Sequence, residues 1–142
     1  MRAERAHILV VDDDEVSVMA VRRALVQHGI RSPIYRAADG LEALELLTSG
    51  AIPKPRLILL DINMPRMTGL EFLAAVRRDP GLRNQVVFVM TTSDAPQDIA
   101  HAYAHQIAGY IVKEDAYRSI GRAIEMLGAY IDVVALENNV GC

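Results

Sequence analysis

Leu57-Ile58-Leu59-Leu60-Asp61-Ile62-Asn63-Met64-Pro65 opens with four apolar residues and then meets an acid. A run this short and uninterrupted fits a central strand of a parallel sheet, covered on both faces. Ligands of open parallel sheets bind beyond the carboxyl ends of the strands, so Asp61 stands where chemistry is usually done. The pattern recurs along the chain. Ile8-Leu9-Val10-Val11 stops at Asp12, Asp13 and Asp14, Val86-Val87-Phe88-Val89-Met90 at Thr91, Thr92 and Ser93, and Gly109-Tyr110-Ile111-Val112 at Lys113. Pro33-Ile34-Tyr35-Arg36-Ala37 is a weaker strand, and its leading proline places it near an edge.

Helical periodicity fills the intervals. Val18, Val21 and Leu25 form one stripe over Glu15 to His28, with Gly29 as the stop. Positions 41, 44 and 47 or 48 form the predicted inner face of the next helix, which Gly50 ends. A third helix is predicted over Leu70 to Arg78, with Leu70, Leu73, Ala74 and Val76 apolar, and a fourth over Pro96 to His105, with Asp94 as its cap. The last begins near Asp115 and turns Ile120, Ala123, Ile124 and Leu127 inward. Five strands alternating with five helices predict an α/β fold with a parallel sheet covered on both faces.

The 142 residues fit one domain, and 51% apolar content argues against disorder. The boundaries predicted are a lead over 1–6, the domain over 7–127, and an extension of the last helix over 128–142 with a frayed end. A net charge of −3 without a Lys/Arg cluster gives no footprint for nucleic acid. The apolar runs are far shorter than a membrane span, and the mixed charges of the first five residues do not make a secretory leader. The single cysteine, Cys142, excludes an internal disulfide and suits a cytoplasmic protein.

Aligning the strand ends gathers Asp12, Asp13, Asp61, Thr91 and Lys113 on one edge of the sheet. Crowded carboxylates repel one another unless protons or a cation compensate. Mg²⁺, a hard ion that keeps several waters and needs only one or two carboxylates, suits the task. A carboxylate beside such an ion, with a hydroxyl and an ammonium group at hand, is equipped to receive a phosphoryl group. Asp61 is already an anion and needs no general base.

The motifs Val11-Asp12-Asp13, Asp61-Ile62-Asn63-Met64-Pro65-Arg66-Met67-Thr68-Gly69, Thr91-Thr92-Ser93 and Gly109-Tyr110-Ile111-Val112-Lys113, each at a strand end and in this order, resemble those of response-regulator receiver domains of two-component signalling. The resemblance covers residues from about 7 to 127. It implies a flavodoxin-like sheet of strand order 2-1-3-4-5. It also implies Asp61 as phosphoacceptor, Asp13 as a direct Mg²⁺ ligand, Asp12 as a ligand through water, and the main-chain carbonyl of Asn63 as a third protein ligand. Thr91 becomes the hydroxyl that swings toward the phosphoryl group, Tyr110 the aromatic that follows it, and Lys113 the positive partner. A sensor histidine kinase is the implied phosphodonor, and a histidine phosphotransfer protein or another downstream protein the implied recipient of the signal. Glu114 departs from the family, which usually has proline in a cis bond after the lysine. A cis bond to a non-proline residue costs about 3–4 kcal/mol, so a trans, differently shaped corner is expected there.

Other polar residues read more plainly. Asp14 is expected as a helix cap, Thr92 and Ser93 as loop hydroxyls, Ser93 near the approach to the site, and His7, His28, His101 and His105 as scattered structural or solvated groups. The last helix has an apolar surplus. Met126, Tyr130, Val133 and Val134, with Tyr103, predict a helix-based patch that pairs isologously in a homodimer. The expected function is that of a stand-alone phosphoacceptor with slow self-dephosphorylation, not an enzyme turning over metabolites. Two alternatives stand beside it. One is a haloacid-dehalogenase-like Mg²⁺-dependent phosphatase using the Asp-x-Asp spacing of Asp12 and Asp14, although Glu15-Val16 stands where Gly-Thr is usual and no cap segment is present. The other is a receiver that has lost phosphorylation and acts as a binding module.

Overall fold

The structure, a computed structural model, describes residues 6–113 and 118–134. In chain order the elements are β1 (His7–Val11), α1 (Glu15–Gln27), β2 (Ile34–Ala37), α2 (Gly40–Thr48), β3 (Arg56–Leu60), α3 (Gly69–Arg78), β4 (Val86–Thr91), α4 (Pro96–Ala104), β5 (Gly109–Val112) and α5 (Arg118–Val133). The five strands are parallel in the order β2-β1-β3-β4-β5, the arrangement implied by the resemblance. All five residues of β3 are buried, as a strand covered on both faces requires, whereas β2 lies at an edge and is mostly half-exposed.

Strand alternation sorts the core into two layers. Ile8, Val10, Leu57, Leu59, Phe88 and Met90 pack with Val18, Val21 and Leu25 of α1 and with Ile120, Ile124 and Leu127 of α5. Leu9, Val11, Ile58, Leu60, Val87 and Val89 face α2, α3 and α4 through Ala43, Leu47, Phe72, Leu73, Val76 and Ala102. Helix α5 continues through Leu127 to Val133, and Ile131 is part of the core, so the packing of the domain extends beyond residue 127. Among the described residues no helix is long and apolar enough to cross a membrane. The expected start of the last helix near Asp115, the corner at Glu114 and the tail beyond Val134 with Cys142 lie outside the described residues.

Helix α3 lies where predicted and buries Gly69, Phe72, Leu73 and Val76, with Leu70 partly covered. Two expectations need correction. Helix α2 buries Gly40, Ala43 and Leu47, while Leu41 is 46% exposed, and Gly40 sits where an added Cβ would meet the Met67 side chain at 2.7 Å. Asp94 does not cap α4. Ala95 is the N-cap and supplies no side-chain bond, Pro96 follows without an N–H to satisfy, and Asp98 in the first turn takes the Ser93 hydroxyl at 2.6 Å.

Two polar ties brace the loops. Asp39 caps α2 by accepting from the Glu42 amide at 2.9 Å, and its other oxygen accepts from Arg66 Nε at 2.7 Å. The corner before α2 is thereby fastened to the loop after β3, where Gly40 N also donates to Met67 O at 3.4 Å. Arg77 donates to four main-chain carbonyls: His105 (2.6 Å), Arg83 (2.7 Å), Gln85 (2.8 Å) and Gln106 (2.9 Å), joining the turn after α3 to the turn after α4.

The Glu42 amide, and after it the Arg66 guanidinium, hold the Asp39 carboxyl below its ordinary value of 3.8 against the opposing effect of burial. A depressed folded pKa means that stabilisation is complete above the unfolded value and is lost as pH falls through the folded one. Asp39→Ala is therefore expected to cost about 1 kcal/mol at neutral pH. Urea unfolding of the two proteins at a series of pH values should show that difference shrinking below about pH 4.

Candidate functional site

The register of the sheet sets the site. Val11 pairs with Leu60, so Asp12 and Asp61, each one residue farther on, lie side by side past the strand ends, where Asp61 N donates to Val11 O at 2.9 Å. Leu60 pairs with Val89, and Thr91 with Val112, which brings the ends of β4 and β5 into the same row. Lys113 N donates to Thr91 O at 2.7 Å.

Carboxylate oxygens of Asp12, Asp13 and Asp61 lie within 4.8 Å of one another. Asp12 and Asp61 retain only 5% and 9% of their surface, while Asp13 is exposed, so the cluster meets solvent chiefly on the Asp13 side. Burial pushes the Asp12 carboxyl above its ordinary value of 3.8, and the neighbouring Asp61 adds to this. The Asp14 amide and Lys113 pull the other way without cancelling it. Two ties hold the Asp12 side chain: Asp14 N donates to Oδ1 at 2.9 Å, and Lys113 Nζ to Oδ2 at 3.1 Å. Both partners of that ion pair have side chains 7% exposed.

A set of three oxygen donors with unbalanced negative charge, open on one side to solvent, fits a hard divalent cation. Asp12, Asp13 and Asp61 are the carboxylates that could hold it. Asn63 is exposed beside them, and its amide donates to Asp61 Oδ1 at 3.3 Å. The loop that carries Asn63 returns tightly. A Cβ on Gly69 would stand 2.4 Å from the Asp61 carbonyl oxygen and 2.5 Å from Ile62 Cα, so only glycine permits this closure. Thr68 then caps α3 through a reciprocal bond with Glu71.

Thr91 is 0% exposed, and its Oγ1 has no hydrogen-bond partner among the described residues. A buried hydroxyl without a partner costs free energy, which a ligand oxygen at the neighbouring strand end could recover. Tyr110 is half-buried, and its hydroxyl donates to Ser93 O at 2.9 Å. The Ser93 side chain is turned to Asp98 of α4.

Asp14 is the helix cap, as expected. Its side chain accepts from Val16 N at 3.0 Å and Ser17 Oγ at 3.1 Å and lies outside the acid cluster. The second carboxylate of the Asp-x-Asp spacing is thus committed to α1. Sequence reasoning missed two supports. Ser17, one turn into α1, accepts from Lys113 Nζ at 3.2 Å, and Arg36 donates to Asp12 O through Nε (3.4 Å) and Nη2 (3.3 Å). A charged residue inside strand β2 was the available sign of the latter. The histidines are not all scattered, since His101 and His105 stack with ring centroids 5.7 Å apart.

Of the residues predicted for an interface, Tyr103 (50% exposed), Met126 (41%) and Val133 (76%) lie on the surface. Val134 is half-exposed and donates its amide to Tyr130 O at 2.8 Å. Tyr130 packs edge-on against Phe88, centroids 5.2 Å apart, and so gives part of its ring to its own core.

The sequence pattern of the response regulator receiver domain matches residues 8–125. Among curated relatives, the probable methanogenesis regulatory protein FilR2 of Methanothrix harundinacea is 32% identical over 126 residues, covering 87% of this chain and 81% of its own. Two solved structures superimpose closely. The phosphorylated cyanobacterial phytochrome response regulator RcpA has a TM-score of 0.86 at 27% identity, over 94% of this chain and 99% of that one. The Mn²⁺-bound form of response regulator Rcp1 has a TM-score of 0.83 at 28% identity, over 94% and 99% of the two chains. With the row of strand-end residues, the strand order and the sequence match in agreement, the chain belongs to the response-regulator receiver domains of two-component signalling.

Proposed function

We propose that the chain accepts a phosphoryl group on Asp61 from a phosphohistidine of a sensor histidine kinase and signals by a change of surface to a partner protein. The observation that carries this reading is the convergence of Asp12, Asp13 and Asp61 within 4.8 Å at strand ends that also bring Lys113 and Thr91. A carboxylate oxygen of Asp61 attacks phosphorus as the bond from phosphorus to the donor imidazole nitrogen breaks, and the departing imidazole keeps that electron pair. Asp13, Asp61 and the Asn63 carbonyl would hold Mg²⁺ directly and Asp12 through water, and the ion would supply charge neutralisation to the phosphoryl oxygens. The Mn²⁺-bound Rcp1 and phosphorylated RcpA neighbours support both parts of this assignment.

Lys113, paired in this structure with Asp12 and Ser17, follows β5, two strands from Asp61 in the sheet, and turns to the phosphoryl oxygens once they add negative charge. The Thr91 hydroxyl finds there the acceptor it lacks, and Tyr110, next to that segment through Ser93, follows. Loss of the phosphoryl group by slow hydrolysis, or its passage to a histidine phosphotransfer protein, resets the site. The commitment of Asp14 to the α1 cap favours this reading over an Asp-x-Asp phosphatase.

Acetyl phosphate with Mg²⁺ should label the intact chain once, as a hydroxylamine-sensitive acyl phosphate, and Asp61→Asn should abolish the label. Lys113→Ala should slow labelling about a hundredfold, the usual penalty for removing one electrostatic partner of the reacting group. Phosphatase turnover that survives Asp61→Asn and disappears in Asp12→Asn would move the chain to the enzyme class. Failure of every phosphodonor on folded protein would leave the binding-module reading.

We also infer a homodimer through α4 and α5, where Tyr103 on α4 and Met126 and Val133 on α5 leave apolar side chains in water. Met126→Glu and Val133→Glu should each convert the dimer to a monomer in sedimentation experiments, run with and without beryllofluoride. An unchanged sedimentation coefficient in both variants would place the contact elsewhere.

A further inference from the structure

His101 and His105 lie one helical turn apart, on the last turn of α4 and at its C-cap. Residues four apart share a face of a helix. Their rings stack at 28° from parallel, with centroids 5.7 Å apart. An ion about 2.0–2.1 Å from one nitrogen of each ring and in line with both would set the centroids about 4.6–5.3 Å apart at bond angles between square and tetrahedral. The observed separation is within an ångström of that range, so side-chain torsions alone can close it. We propose that His101 and His105 chelate a divalent first-row ion of borderline softness, such as Zn²⁺, Ni²⁺ or Cu²⁺, at a site separate from the acid cluster.

Four features support the assignment. Imidazole nitrogens prefer Zn²⁺, Ni²⁺ and Cu²⁺, whereas the oxygen donors of Asp12, Asp13 and Asp61 suit Mg²⁺ and Mn²⁺, so the two sites sort ions by chemistry. The position is favourable because the carbonyl end of a helix attracts positive charge. His105 is anchored through its backbone, its amide donating to Ala102 O at 3.0 Å and its carbonyl accepting from Arg77 Nε at 2.6 Å, which limits the ordering needed on binding. His101 is exposed and His105 half-buried, leaving room for water in the remaining coordination positions.

Arg77 and Arg78 also face His105. Burial first, then the charges of His101, Arg77 and Arg78, lower the proton affinity of His105, which weakens the proton as a competitor for its ring nitrogen. The same charges oppose a cation, although Arg77 has committed its N–H groups to four carbonyls. Among the described residues no third Asp, Glu, Cys or His joins the pair, so the ion is held by two protein ligands and is exchangeable.

Histidine ring resonances of the intact, ¹⁵N-labelled chain provide the test, with Zn²⁺ titrated in a large excess of Mg²⁺ to occupy the acid cluster. The rings of His101 and His105 should shift together and saturate at one ion per chain, while those of His7 and His28 stay in place. His101→Gln and His105→Gln, both at positions outside the core, should each weaken binding about tenfold or more, because either removes the tethered second ligand. A shift confined to one ring, binding of parental strength in either variant, or uptake by His7 or His28 would overturn the proposal.

Discussion

Mutual repulsion among Asp12, Asp13 and Asp61 is the constraint on which the rest of the molecule turns. Parallel pairing places Asp12 and Asp61 side by side whatever their charge, because Val11 and Leu60 are partners in the ladder. The cost is met locally by Lys113, by the Asp14 amide and by the Asn63 amide, each of which donates to one of these carboxylates. None of these donors neutralises the set, since one ammonium faces three carboxylates. A site left electrically incomplete has a use for an added cation, which a balanced one would not.

The supports around the cluster resist collapse of the loops that carry it. Arg36 grips the Asp12 carbonyl from the edge strand, and Asp39 with Arg66 ties the loop after β3 to the start of α2. Gly69 lets that loop close on the Asp61 backbone at a distance no other residue allows. These ties act on main chain and on side chains outside the cluster, so they take none of the acid oxygens. The scaffold is rigid where the backbone turns and leaves its unmet valences at the strand tips.

Strand positions and site acids were legible because each apolar run breaks at a polar residue, and a parallel sheet aligns those breaks. The inner face of α2 was not. Leu41, Leu44, Leu46 and Leu47 satisfy a helical period in more than one phase, and the phase adopted turns Gly40 toward Met67 of another loop. Asp94 has capping chemistry before α4, and only the Tyr110 and Asp98 contacts of Ser93 show where that segment is held. Ser17 and Arg36 join the site through packing between elements, which periodicity does not encode. The four-residue interval between His101 and His105 is visible in the chain but acquires meaning only when both rings share a helix face.

Thr91 and Ser93 are two residues apart on one short segment, yet they are bonded very differently. The Thr91 hydroxyl is buried without a partner, whereas Ser93 is held at both its carbonyl, by Tyr110, and its hydroxyl, by Asp98. A new acceptor beside Asp61 would therefore act on the Thr91 side chain, at one end of a segment whose far end is fastened to β5 and α4. If Asp61 is phosphorylated as proposed, the unmet hydroxyl and the doubly held serine would make α4 and β5 the elements that respond.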